Sequence, residues 1–149
     1  MADVYFYQLR HQPLEAILPP LLERSLERGW RVIVQTGSNE RAEALDAHLW
    51  TYREESFLPH GLDTGDSAAV QPILLTATED NPNGADVRFL VDGAAPGAVE
   101  PYRRVVIVFD GGDSDRLADA RKWWQEAKSA GHDVSFWEQD QNGRWSKRS

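Results

Sequence analysis

The chain has 149 residues and no cysteine, which excludes disulfides, thiol nucleophiles, CxxC redox chemistry and cysteine-rich zinc sites together, and fits a reducing compartment. Long apolar runs are also missing. None approaches the roughly 20 residues needed to cross a bilayer, and the start, Met1-Ala2-Asp3, has no basic segment leading into an apolar stretch. The expectation is a soluble, unexported, cytoplasmic protein without a membrane partner. Basic side chains are few, 16 against 24 acidic, for a net charge of −8, so the chain as a whole is poorly suited to neutralising the phosphates of duplex DNA. The deficit is uneven. Residues 1–100 hold 7 basic and 16 acidic side chains, whereas 101–149 hold 9 and 8, so the last third can receive an acidic ligand that the remainder would repel.

Phosphate-binding glycine motifs are absent as well. Neither GxxxxGK[ST] nor GxGxxG occurs, and the turn Arg10-His11-Gln12-Pro13 offers no glycine to admit a pyrophosphate. There is no G-x-S-x-G elbow. His11, His48, His60 and His132 lack the i, i+4 spacing that puts two metal ligands on one helix face. No catalytic residue, metal or cofactor is therefore assigned. The remaining enzyme-like feature is Asp110 at the tip of an apolar strand, followed by Gly111-Gly112-Asp113. With the Thr36-Gly37-Ser38 turn it supports an alternative reading as a nucleotide- or phosphate-binding α/β enzyme. A simpler account makes Asp113 or Ser114 a helix N-cap and Asp115 a first-turn acid favoured by the helix dipole.

What is present is alternation of strand and helix. Val4 to Leu9 reads as a strand; Leu14, Ile17, Leu18, Leu21, Leu22 and Leu26 repeat at helical spacing up to Gly29. Pro19 and Pro20 should start that helix late or bend it, because proline lacks the amide donor. Arg31–Gln35 reads as a strand, Ser38 as a cap, and Ala42, Leu45 and Leu49 as the inner face of a second helix. Dense Pro and Gly from Trp50 to Asn83 suggest a long functional loop and then a strand at Ile73-Leu74-Leu75. Val87–Val91 and Arg104–Phe109 are further strands, the latter apolar enough for the centre of a sheet covered on both faces. A third helix runs through Leu117, Ala120, Trp124 and Ala127 to Gly131. Asp133–Glu138 is a strand that folds back through Asn142-Gly143 towards Arg144-Trp145. The expected fold is one domain over 1–149, three-layer α/β/α with a largely parallel, Rossmann-like central sheet, and with 140–149 as a C-terminal extension.

The aromatic load is unusual. Four of six tryptophans, Trp123, Trp124, Trp137 and Trp145, lie in the last 27 residues. On the third helix Arg121, Trp124 and Lys128 share an edge at spacings of three and four. Arginine beside tryptophan suits a peptide with a carboxylate and an apolar side chain; a solvated amphipathic helix with one core Trp explains the pattern equally well. Trp50 and Phe57 bracket a second cluster with Pro59 and His60, either a rigid binding anchor or a seal of helix onto sheet edge.

Leu45-Asp46-x-x-Leu49-Trp50 followed by Glu55-Ser56-Phe57-Leu58-Pro59-His60 resembles the signature of the chi subunit of bacterial DNA polymerase III holoenzyme. Val4-Tyr5-Phe6-Tyr7, Gly29-Trp30-Arg31-Val32 and Ala120-Arg121 through Trp124 to Ala130-Gly131-His132 agree with that family in order and spacing. The resemblance implies a non-catalytic clamp-loader accessory protein that links the replicase to single-stranded DNA-binding protein, whose acidic C-terminal tail would meet Arg121, Trp124 and Lys128. The family more often has tyrosine at the Trp124 position. Trp50, Phe57, Pro59 and His60 would form the face that meets the psi subunit or another clamp-loader component, for which a helicase-like protein competes in some bacteria. Contact with DNA would then be indirect. Direct single-strand binding through the C-terminal tryptophans is opposed by the net charge, although local stacking could survive it.

Overall fold

The computed structural model describes residues 3–10, 12–51, 60–62, 70–97, 99, 101–139 and 144–147. Its elements in chain order are β1 (Asp3–Leu9), α1 (Leu14–Glu27), β2 (Val32–Gln35), α2 (Asn39–Thr51), β3 (His60–Leu62), β4 (Ile73–Thr76), β5 (Val87–Leu90), β6 (Arg104–Asp110), α3 (Ser114–Ser129), β7 (Asp133–Gln139) and β8 (Trp145–Lys147). The strands form one sheet in the order β3-β4-β2-β5-β6-β1-β7-β8. Every adjacent pair is parallel except β7 with β8.

The layer arrangement follows from the direction of the crossovers. From β1 the chain steps one way along the sheet to β2 and then β4; from β5 it steps the other way to β6 and then over β1 to β7. Right-handed connections in opposite directions place their helices on opposite faces. Accordingly α1 and α2 cover one face, packing on Val32, Val34, Ile73, Leu75, Val106 and Val108. The other face carries a second core that includes Phe6, Ile33, Leu74, Leu90 and Ile107, with α3 lying over β6, β1 and β7. Alternate residues of the same strands serve the two cores, as the pleat requires. The three-layer α/β fold with a mostly parallel sheet stands as read from the sequence, and β6 lies near the middle of the sheet.

Two expectations are corrected. Helix α1 does not start late: it begins at Leu14, directly after Pro13, and runs on through Pro19 and Pro20. The carbonyl that Pro19 cannot serve belongs to Glu15, and the His48 Nε2 of α2 sits 2.9 Å from it, so the lost helical bond is replaced from a neighbouring helix. Ala16, the carbonyl opposite Pro20, is exposed and open to water. The second correction concerns the stretch read as a loop between Trp50 and Ile73, where His60–Leu62 forms the edge strand β3. A three-residue His-Gly-Leu segment carries no β-branched or alternating signal.

The caps behave as expected. The Ser38 hydroxyl accepts from the Arg41 N–H at 3.3 Å, and Asp113 accepts from the backbone N–H groups of Asp115 and Arg116 at 3.0 and 3.3 Å. At Gly29, φ is +78°, the left-handed geometry in which α1 closes with the Trp30 N–H donating to the Ser25 carbonyl.

Candidate functional site

Helix α2 is anchored by Leu45 and Leu49, both almost fully buried. Trp50, one residue on, is turned about 100° around the helix and leaves 55% of its surface in solvent. Its ring is not loose. The His60 imidazole lies 4.4 Å away, centroid to centroid, itself buried, with Nε2 3.1 Å from the Asp46 carbonyl and 3.4 Å from Asp46 Oδ1. Both atoms facing Nε2 are acceptors, so that nitrogen carries the proton. The two halves of the motif thus meet in space: Asp46 holds His60, and His60 backs Trp50. Of the four residues expected here, Trp50 is displayed and His60 supports it from inside, while Phe57 and Pro59 lie outside the described residues. Asp46, a motif residue to which the sequence assigns no role of its own, lies four residues before Trp50 and so on the same flank of α2.

On the opposite face, α3 presents Arg121, Trp124 and Lys128 along one flank. Trp124 is part of the second core's margin, edge-on to Phe6 and Phe136 at 5.7 and 5.8 Å. Lys128 Nζ stands 5.2 Å from the ring centroid, and Arg121 is exposed one turn earlier. The ring is therefore fixed by β1 and β7, with cations on its outer side. Trp124 is thus part of the core on one side and half-exposed on the other. Trp123 diverges from it and lines a separate cavity of about 190 Å³ with Val99, Ile107, Ala127 and His132.

The crevice at the carboxyl ends of β1 and β6, where the crossovers part to opposite faces, is the usual ligand site of such sheets. Here it encloses about 710 Å³ and includes Arg10, Arg41 and Arg116 beside Glu15, Asp92, Asp110 and Asp113. Its cations are engaged internally. Arg41 holds Glu15 and Asp92, each at 3.0 Å, Arg10 holds Glu138 at 3.2 Å, and Arg116 lies 3.6 Å from Asp119. The two turns proposed for phosphate chemistry are likewise occupied. Asp110 Oδ1 accepts from the Gly112 N–H at 2.8 Å, the Thr36 hydroxyl donates to the Ser38 carbonyl at 2.6 Å, and a Cβ at Gly37 would overlap the Asp92 carbonyl. Asp110 and Thr36 thus each have a hydrogen-bond partner within their own turn.

Fold and surfaces together define a three-layer α/β protein that displays a backed tryptophan on one face and a cation-flanked one on the other. The family profile described as DNA polymerase III chi subunit, HolC, matches residues 1–135, and the chain belongs to that family. A protein of Rickettsia prowazekii named probable DNA polymerase III subunit chi is 29% identical over 104 residues, 65% of this chain and 62% of the relative. The DNA polymerase III subunit chi of Pseudomonas aeruginosa is 32% identical over 85 residues, 57% of this chain and 58% of the relative. The chain thus spans about three-fifths of the length of these relatives. Among the described residues no helix is long and apolar enough to cross a membrane.

Proposed function

We propose that the chain acts without catalysis of its own as an accessory subunit of the DNA polymerase III clamp loader and tethers the replicase to the acidic C-terminal tail of single-stranded DNA-binding protein. Arg121 pairs with the tail's terminal carboxylate, its last aromatic ring packs against Trp124, and Lys128 attracts the upstream acidic residues. The observation that carries this reading is the Trp124 ring held edge-on by Phe6 and Phe136 with Lys128 5.2 Å from its centroid. A ring immobilised before binding loses little entropy when a second ring packs on it. The family membership supports the same reading. On the α2 face, Trp50 with Phe57, Pro59 and His60 meets the psi subunit or another clamp-loader component, a surface on which a helicase-like partner competes.

Calorimetric titration with an acidic peptide ending in phenylalanine tests the tail site. Truncating one partner of a desolvated charge pair typically costs about 2–5 kcal/mol, so Arg121→Ala should nearly abolish binding. Lys128→Ala should instead weaken it mainly at low salt, because rim charges act through steering. Trp124→Phe keeps the packing on Phe6 and should reduce affinity without unfolding. Undiminished binding by Arg121→Ala, or by a peptide lacking its last residue, would place the site elsewhere.

A further inference from the structure

The face of the sheet under α1 carries a second aromatic cluster that the tail site does not use. Alternation along β1 turns Tyr5 and Tyr7 to this face, and in the parallel register Trp137 of β7 stands beside Tyr7, rings stacked at 6.2 Å and 26°. Trp145 of β8 closes on Tyr7 edge-on at 4.8 Å. Helix α1 and its cap bring Arg24 and Arg28, one turn apart, to the border of these rings. From the start of β6, Arg104 lays its guanidinium 4.2 Å from the Tyr5 ring centroid. Between them is a cavity of about 250 Å³.

Two features separate this groove from the larger crevice. Its cations are not neutralised: neither Arg24 nor Arg28 forms an ion pair among the described residues, and Arg104 has only Asp3, at 3.9 Å. In a chain of net charge −8, three guanidiniums facing one cavity almost without carboxylates stand out. The second feature is a pair of buried donors, Arg104 Nε and Trp137 Nε1, that have no hydrogen-bond partner among the described residues. Burial also raises the Tyr7 pKa, so its hydroxyl stays protonated, although the three arginines act against the rise. The groove therefore offers aromatic rings, the Tyr7 hydroxyl and positive charge, and two of its lining side chains carry N–H groups left unpaired among the described residues. Its complement is a planar ring rich in acceptors, joined to anions.

We propose that this groove binds single-stranded DNA, with one unstacked base entering the cavity against Tyr5, Tyr7 and Trp137 and the flanking phosphates meeting Arg24, Arg28 and Arg104. A paired base has no free face to offer the rings, which disfavours duplex; base–aromatic stacking is tolerant of sequence. Arg24 and Arg28 are about 6 Å apart along the helix axis, enough to serve separate phosphates. An acidic peptide with one terminal ring would leave most of this platform unused. The acidity of the rest of the surface confines the site to a few nucleotides.

The test uses the full-length protein and a labelled eight-residue oligothymidylate, followed by fluorescence anisotropy from 50 to 200 mM salt. Three phosphate contacts give a slope of log K against log salt of about −2, at roughly 0.7 per contact for single strands. Arg24→Ala with Arg28→Ala should lower affinity about tenfold or more and shallow the slope by about 1.4, with the melting temperature and tail-peptide binding unchanged. Bromouridine-substituted strand should crosslink to peptides containing Tyr5, Tyr7, Trp137 or Trp145. Wild-type affinity in the double variant overturns the proposal. So does loss of strand binding in Arg121→Ala, equal competition by duplex of the same length, or displacement of the strand by the acidic tail peptide, which would assign the groove to peptide instead.

Discussion

Gly37 sits where the turn after β2 presses against the Asp92 carbonyl, and any Cβ there meets backbone that cannot move aside. Overpacking of this kind costs typically about 1–3 kcal/mol, so Gly37→Ala should lower the urea midpoint by a corresponding amount. An unchanged midpoint would mean that the turn relaxes. Nearby, the Glu15 carboxyl lies below its ordinary value of 4.5, chiefly through a hydrogen bond to its own backbone N–H and further through Arg41. A depressed carboxylate contributes stability that is fully present above its unfolded pKa and is lost as pH falls through the folded one. Glu15→Gln should therefore lose stability at pH 7 and very little at pH 3, narrowing the gap between the two urea midpoints. Since the side chain is more than a third exposed, solvent screening keeps the change modest. Trp50→Ala removes a displayed ring and should cost about 2 kcal/mol or more of binding to a psi-like partner while leaving the melting temperature nearly unchanged. Asp46→Ala removes the acceptors' carboxylate share from His60 and should weaken the same binding less. At this scale the sequence indicated Trp50 and Trp124 by type and spacing, but which faces of their rings were covered depended on His60, Phe6 and Phe136, contacts made across the fold.

Among the elements, α1 holds together across two prolines because another helix supplies a donor. His48→Leu would leave the Glu15 carbonyl with neither Pro19 nor imidazole, and a polar group stranded in this way costs about 1–3 kcal/mol. Thermal melts of His48→Leu and His48→Gln separate the cases: the glutamine amide can still donate and should recover part of the loss. Periodicity located α1, α2, α3 and the long strands because each buries a regular set of apolar residues. It located the caps at Ser38 and Asp113 because capping is local chemistry. It failed at Pro19 and at β3, where the deciding partners, His48 and β4, are distant in sequence. The arginine groove escaped for the same reason, since Arg24, Arg104 and Trp137 are adjacent only once β6 and β7 flank β1.

For the whole molecule, the edge beyond β7 is closed by β8, which pairs Gln139 with Trp145 and Trp137 with Lys147. Ending the chain at Gln139 should bare Trp137–Gln139, the three residues of the parallel-sheet edge that β8 pairs, and remove Trp145 from Tyr7. Such edges template association between chains. Sedimentation velocity should find the truncated protein forming dimers or larger species at concentrations where the full chain does not, and a monodisperse monomer would show that β7 protects itself. The position of β1 has another consequence, for biosynthesis. Both of its neighbours, β6 and β7, come from the last third of the chain, so during synthesis β1 waits without a partner while about a hundred further residues are added at roughly 5–20 per second. The apolar Val4 and Phe6 must be kept from other nascent chains for that interval. Folding of this domain is thus gated by the synthesis of β6 and β7, and its exposure to chaperones is set by the elongation rate over the central stretch.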